Sequence, residues 1–143
     1  MKTIETFDVL PFLEGDVHIA VCPDFGTVDQ GTTQEEAINN LLQTTHIYLQ
    51  ESKKADTYPN FIVKNEISNS PIPALPQISP YKIITVLERL GYQKSSHCIV
   101  LTKQSSTGEI TCVVPLRKHF ARVTTWNILS SAGITLQEFL ENL

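Results

Sequence analysis

The sequence predicts an α+β protein of two small domains, and three observations carry that expectation. Alternating apolar runs precede a capped amphipathic helix in the first half, a helix precedes paired apolar runs in the second, and a proline-rich segment lies between them. A chain of 143 residues, 41% hydrophobic and 18% charged, is globular in composition and long enough to bury a core without staples.

In the first half, Ile4–Val9 and Phe12 form an extended run that ends at the turn Glu14-Gly15-Asp16. Val17–Cys22 alternates Val17, Ile19 and Val21 against His18, Ala20 and Cys22, which gives a strand with one fully apolar face. Pro23-Asp24-Phe25-Gly26 breaks it, and Thr27–Gln30 is a third strand ending at Gly31. Hairpin connections make these three neighbouring antiparallel strands. Thr33-Gln34-Glu35-Glu36 is a capping box, and Ala37, Ile38, Leu41, Leu42, Thr45, Tyr48 and Leu49 place an apolar stripe on a helix running to about Ser52. Phe61-Ile62-Val63 then reads as an edge strand, so residues 1–70 form a β-β-β-α-β domain. Prolines at 71, 73 and 76 cannot continue a helix or a central strand, and residues 71–77 are an extended linker.

Residues 78–143 follow an α-β-β-(β)-α order with a terminal helix. Ser79-Pro80 caps and starts a helix with the stripe Ile83, Ile84, Leu87 and Leu90, closed at Gly91. Strands cover Ser96–Thr102 and Ile110–Val114, joined by the turn Ser105–Gly108. Thr124 or Thr125 opens a helix closed at Gly133, with Trp126 in its core stripe, and a second capping box, Thr135–Glu138, starts the last one. One face of this sheet is covered and the other is potentially open.

Charge divides as the elements do. Residues 1–77 hold four lysines against eleven acids, net −7, and residues 78–143 hold seven bases against four acids, net +3. An acidic half joined to a basic one implies two faces that meet, or a basic half that meets nucleic acid. No apolar run reaches the ~18 residues of a membrane span and no signal peptide is evident, so a soluble, cytoplasmic protein is expected. Cys22, Cys98 and Cys112 lack the spacing of a disulfide framework or zinc site and read as small buried hydrophobes. No metal or cofactor is expected. His18 reads as a solvent or interface residue and His46 as exposed.

Two stretches carry a family resemblance. Ile19–Phe25 with its Cys22-Pro23-Asp24 turn, followed by Gly31-Thr32-Thr33-Gln34-Glu35-Glu36-Ala37, resembles the HicB antitoxin domain, and that implies a partial RNase H-like fold over residues 3–76. Leu87–Tyr92, Ser96-His97, Val113-Val114-Pro115, Thr125, Ile128-Leu129, Ala132-Gly133-Ile134 and Glu138-Phe139-Leu140 resemble the HicA mRNA interferase, which implies a fold like the double-stranded-RNA-binding domain. The resemblance implies His97 as catalytic histidine. Ser95 stands where that family has glycine, and Arg117 where it places a second histidine, with His119 displaced by two positions.

A metal-independent endoribonuclease needs a base for the ribose 2′-hydroxyl, cations for the phosphate and an acid for the leaving oxygen. His97 is the candidate base, because an unperturbed imidazole exchanges protons near pH 6.5, and His119 is a weaker candidate acid. Lys94, Ser96, Arg117, Lys118 and Arg122 are the candidate RNA-binding residues. Glu5, Asp8, Asp24 and Asp29 form no convincing metal-binding set for RNase H chemistry. The expected function is a toxin–antitoxin-related fusion in which the acidic domain masks an RNA-binding, endonuclease-like domain, within one chain or between chains of a homodimer. The alternative is a catalytically degenerate RNA-binding or protein-interaction module.

Overall fold

In the computed structural model residues 3–51, 57–63, 75–94 and 99–143 are described. The first half holds β1 (Thr3–Glu14), β2 (Val17–Cys22), β3 (Thr27–Gly31), α1 (Gln34–Glu51) and β4 (Thr57–Val63). The second holds α2 (Pro80–Arg89), β5 (Gln93–Lys94), β6 (Val100–Ser105), β7 (Gly108–Val113), α3 (Arg122–Ser131) and α4 (Leu136–Glu141). This is the predicted α+β architecture, with sheet orders β3-β2-β1-β4 and β5-β6-β7.

The first three strands are antiparallel neighbours, as the hairpin turns require, and β4 pairs in parallel with β1 at the sheet edge. β1 is one continuous strand that changes partner along its length: Thr3–Val9 pairs with β4 and Leu10–Glu14 with β2. Pro11 lies just past the last β4 pair, where a missing N–H costs no ladder bond on that side.

Local signals set most helix ends. Thr33 Oγ1 accepts the Glu36 N–H at 3.1 Å, while the Glu36 carboxylate reaches back one residue further than a capping box requires, to the Thr32 N–H at 3.3 Å. Ser79 caps α2 with Pro80 at its first turn, and the Thr135–Glu138 box caps α4. The chain leaves α2 through Gly91 (φ 99°), with the Tyr92 N–H bonded to the Leu87 carbonyl at 3.0 Å, and leaves α3 through Gly133 (φ 70°), with Ile134 bonded to Leu129 at 3.0 Å. Both are left-handed closures of the Schellman type.

The start of α3 corrects the sequence expectation. It begins at Arg122, before Thr124, and its N-cap Ala121 makes no side-chain bond. The cap comes instead from Glu14 at the end of β1, whose carboxylate oxygens accept the Arg122 and Val123 N–H groups at 3.0 and 3.3 Å. A carboxylate there satisfies two orphan donors and complements the helix dipole. Glu14→Ala is therefore expected to cost about 1–2 kcal/mol in urea denaturation, with Glu14→Gln retaining part of the loss because an acceptor survives.

The two faces of β2 serve different partners. Ala20 and Cys22 pack with Val9, Ala37 and Leu41 under α1. Ile19 and Val21, joined by Val28, enter a second core with Ile83, Leu87, Leu101, Phe120, Ile128, Leu129 and Phe139. The fully apolar face of β2 thus lies against the second half of the chain, not under its own helix. Leu75 and Ile78 are also buried in that core, at the end of the 71–77 segment, of which 71–74 lie outside the described residues.

The far side of the second sheet is covered at its Val100–Val113 end. Leu101 and Cys112 face the shared core, and the alternate pair Val100 and Val113 points the other way. Val100 and Val113 are nevertheless buried, and α1 runs against β6 and β7. Trp126, expected in the core, is 41% exposed on α3, because the helix face that packs inward carries Thr124, Thr125, Ile128 and Leu129. His18 and His46 are half-buried.

Burial sets the thiol chemistry. It pushes Cys22 from 9.0 up to about 11 and Cys112 up to about 12, and raises the Tyr92 phenol to about 12. The folded protein holds these protons more tightly than the unfolded chain, so the stability they contribute is complete below pH 9 and is lost as pH rises through about 11 for Cys22 and about 12 for Cys112 and Tyr92. Above pH 9 each thiol is expected to remove about 1.4 kcal/mol per pH unit. Urea midpoints between pH 8 and 10.5 test this, and Cys22→Ala is expected to flatten the decline.

Candidate nucleic-acid interface

The basic residues singled out by sequence fall in two places separated by β6. Lys94 lies exposed on β5, its ammonium 3.8 Å from the Glu88 carboxylate, a surface pair of little energetic weight. Arg117, Lys118, His119 and Arg122 follow β7 and lead into α3. Ser96 and His97, the candidate base, lie outside the described residues, as does Ser95.

Arg117 is where the two halves lock. Its Nε and Nη2 donate to the two carboxylate oxygens of Asp29 on β3, both at 2.8 Å. Asp29 is fully buried, while the Arg117 side chain keeps 32% exposure. The carboxylate accepts two further bonds, from the Gln30 N–H at 2.8 Å and from Thr44 Oγ1 at 2.6 Å. A buried charge is tolerated only when paired and hydrogen-bonded, and Asp29 meets both conditions. The bond to Asp29 raises the Arg117 pKa, so the guanidinium stays charged at every working pH.

Gln30 fastens the stretch from His119 to Thr124. Its Nε2 donates to the His119 carbonyl, and its Oε1 accepts the Ala121 N–H at 3.0 Å and the Thr124 hydroxyl at 2.8 Å. Asn40 Nδ2 on α1 in turn holds the Gln30 carbonyl at 2.9 Å. Asp29, Gln30 and Glu14 of the first half therefore engage the backbone or side chains of Arg117 through Thr124 at consecutive points.

Lys118 and His119 differ from Arg117. Both are exposed, and neither side chain has a hydrogen-bond or ion-pair partner among the described residues. They line a cleft with Gln77, Ile78 and Ser79, backed by the buried ring of Phe120. The Arg122 side chain is exposed while its N–H is held by Glu14.

Sequence reasoning set Asp29 aside as one scattered acid and gave Gln30 and Thr44 no role. The only signal was their polarity within a short strand and along a helix off its apolar stripe. Among the described residues no cluster of His, Cys, Asp or Glu can hold a metal ion, and no helix is long and apolar enough to cross a membrane.

These elements define an α+β protein whose acidic half holds a basic loop of its other half through buried polar contacts. No protein-family model, curated protein or solved structure matches the chain.

Proposed function

We propose that the protein is a toxin–antitoxin-related fusion acting on RNA in the cytoplasm, in which residues 78–143 form an RNA-binding, endoribonuclease-like domain masked by the HicB-like first half. The observation that supports it is the seating of Arg117, a candidate phosphate ligand, in the buried Asp29 carboxylate. A guanidinium whose Nε–Nη2 edge and charge are taken by a carboxylate is a poorer ligand for a phosphodiester. On this reading His97 is the base and His119 the acid, with Lys94, Ser96, Lys118 and Arg122 assisting.

The shared core favours a second reading. Ile19, Val21 and Val28 pack with residues of α2, α3 and α4, so separating the halves exposes apolar surface. A single cooperative unit of that kind suits a non-enzymatic RNA-binding or interaction module.

The test compares the full chain, its Asp29→Ala variant and residues 78–143 for RNA binding and cleavage across a salt series. The masked reading expects the variant, and the fragment if it folds, to bind RNA with affinity that falls steeply as salt rises, and His97→Ala to abolish cleavage without abolishing binding. Binding without cleavage selects the module; inertness of every form sinks both.

A further inference from the structure

Two carboxylates of the first half sit on one short segment of the second, and each occupies a geometry that a phosphate takes. Asp29 fills the Arg117 fork with both oxygens at 2.8 Å, the planar two-point contact that arginine makes equally with carboxylates and phosphates. Glu14 places its two oxygens on the successive N–H groups of Arg122 and Val123, 3.0 and 3.3 Å away, at the head of the ten-residue helix α3. Backbone donors at a helix start, with the positive end of the dipole behind them, are a recurrent phosphate seat.

Between these ends the loop is held in place, and the Lys118 and His119 side chains make no hydrogen bond or ion pair among the described residues. Lys118 and His119 line a cleft of about 290 Å3, several times the ~30 Å3 share of a liquid water. The loop beneath them is fixed by the Arg117 ion pair on one side. On the other it is fixed by the Gln30 bond to the His119 carbonyl and by Phe120, 2% exposed. A cation presented on an ordered loop binds an anion without first losing conformational freedom.

We propose that residues 117–123 form a strip for the phosphodiester backbone of single-stranded RNA, with Asp29 and Glu14 standing in for phosphates at its two ends. The cleft of Lys118 and His119 is its middle seat, and it is open in the intact chain. This deepens the RNA reading above and rests on it. It assigns the acidic half a specific device, occupation of two phosphate positions, in place of general charge repulsion. It also assigns the intact protein a residual capacity for one phosphodiester.

The experiment follows backbone amide resonances of the 15N-labelled full chain during titration with the dinucleotide UpU, with the trinucleotide UpUpU and, separately, with inorganic phosphate. In the wild-type chain UpU is expected to shift the Lys118 and His119 amides saturably and to leave those of Arg122 and Val123 in place. In Glu14→Ala, which the spectrum shows to be folded or not, the Arg122 and Val123 amides are expected to join the response. The Kd for the trinucleotide UpUpU, whose two phosphodiesters can reach both seats, is expected to fall about tenfold relative to wild type, the equivalent of roughly 1.4 kcal/mol for one added charge-assisted contact. Lys118→Glu is expected to remove the wild-type response and serves as the second variant. Silence of Lys118 and His119 in the wild type overturns the proposal, as does a folded Glu14→Ala whose Arg122 and Val123 amides do not move. A response to inorganic phosphate alone reassigns the cleft to a free anion and overturns it too. Failure of the nuclease reading is distinct: absence of cleavage leaves these shifts untouched, whereas silent amides beside a cleaving Asp29→Ala chain remove the strip and keep the nuclease.

Discussion

Arg117→Ala is expected to destabilise the protein by about 3–5 kcal/mol, the range for breaking a buried ion pair from one side. The size follows from what is stranded. Asp29 has no exposed surface and keeps only the Gln30 N–H and the Thr44 hydroxyl, too little for a carboxylate out of water. Arg117→Lys retains charge but not the fork and is expected to fall between wild type and alanine. The decisive comparison is the double variant Asp29→Ala/Arg117→Ala, in which no charge is buried. It is expected to be more stable than Arg117→Ala alone, so that the coupling of the two sites in urea denaturation is large and favourable. Additivity of the two single losses would show that the pair carries no interaction of its own.

Gly26→Ala is expected to cost about 2–6 kcal/mol, from two sources that can be separated. Gly26 has φ 70° at the turn after β2, where an L side chain is strained, and that accounts for about 1–3 kcal/mol. A Cβ there would also lie 2.6 Å from the Cβ of Ser131 on α3, an overlap that forces the sheet and α3 apart at about 1–3 kcal/mol. Ser131→Gly in the alanine background is expected to restore the packing part, less about 1 kcal/mol for glycine in a helix, and to leave the backbone part. Thermal unfolding of the two singles and the double measures both.

The elements that sequence revealed are those whose causes lie within a few residues. Thr33, the Ser79-Pro80 pair, the Thr135–Glu138 box and the glycines at 91 and 133 each act on their own turn of helix, so element order and α+β class were legible. The beginning of α3 was not, because its cap is a carboxylate 108 residues away. The alternation in β2 disclosed an apolar face but not its partner: periodicity says that Ile19 and Val21 are buried, and nothing in it distinguishes α1 from the other half of the chain. Of the site, sequence picked out Arg117 as an unexpected residue at a telling position. Its meaning lay in Asp29, an acid with no local pattern, whose pairing is a property of the tertiary fold alone. Trp126 was misplaced for a related reason. Its spacing suits a helix stripe, but the inward face of α3 is chosen by the Thr124 bond to Gln30 and by Ile128 and Leu129 in the shared core.

The division of the shared core has a consequence for synthesis. The strands β2 and β3 that present Ile19, Val21 and Val28 are encoded in the first 31 residues, and the side chains that cover that face come almost wholly from residue 75 onward. A ribosome adding 5–20 residues per second needs about 3–13 s to make the last 66. During that interval Glu14, Asp29 and Gln30 have already been made, while the residues that cover the apolar face of β2 and β3 have not. The chain order places Glu14, Asp29 and Gln30 ahead of the basic segment, so Arg117 and the start of α3 are made after the residues that hold them.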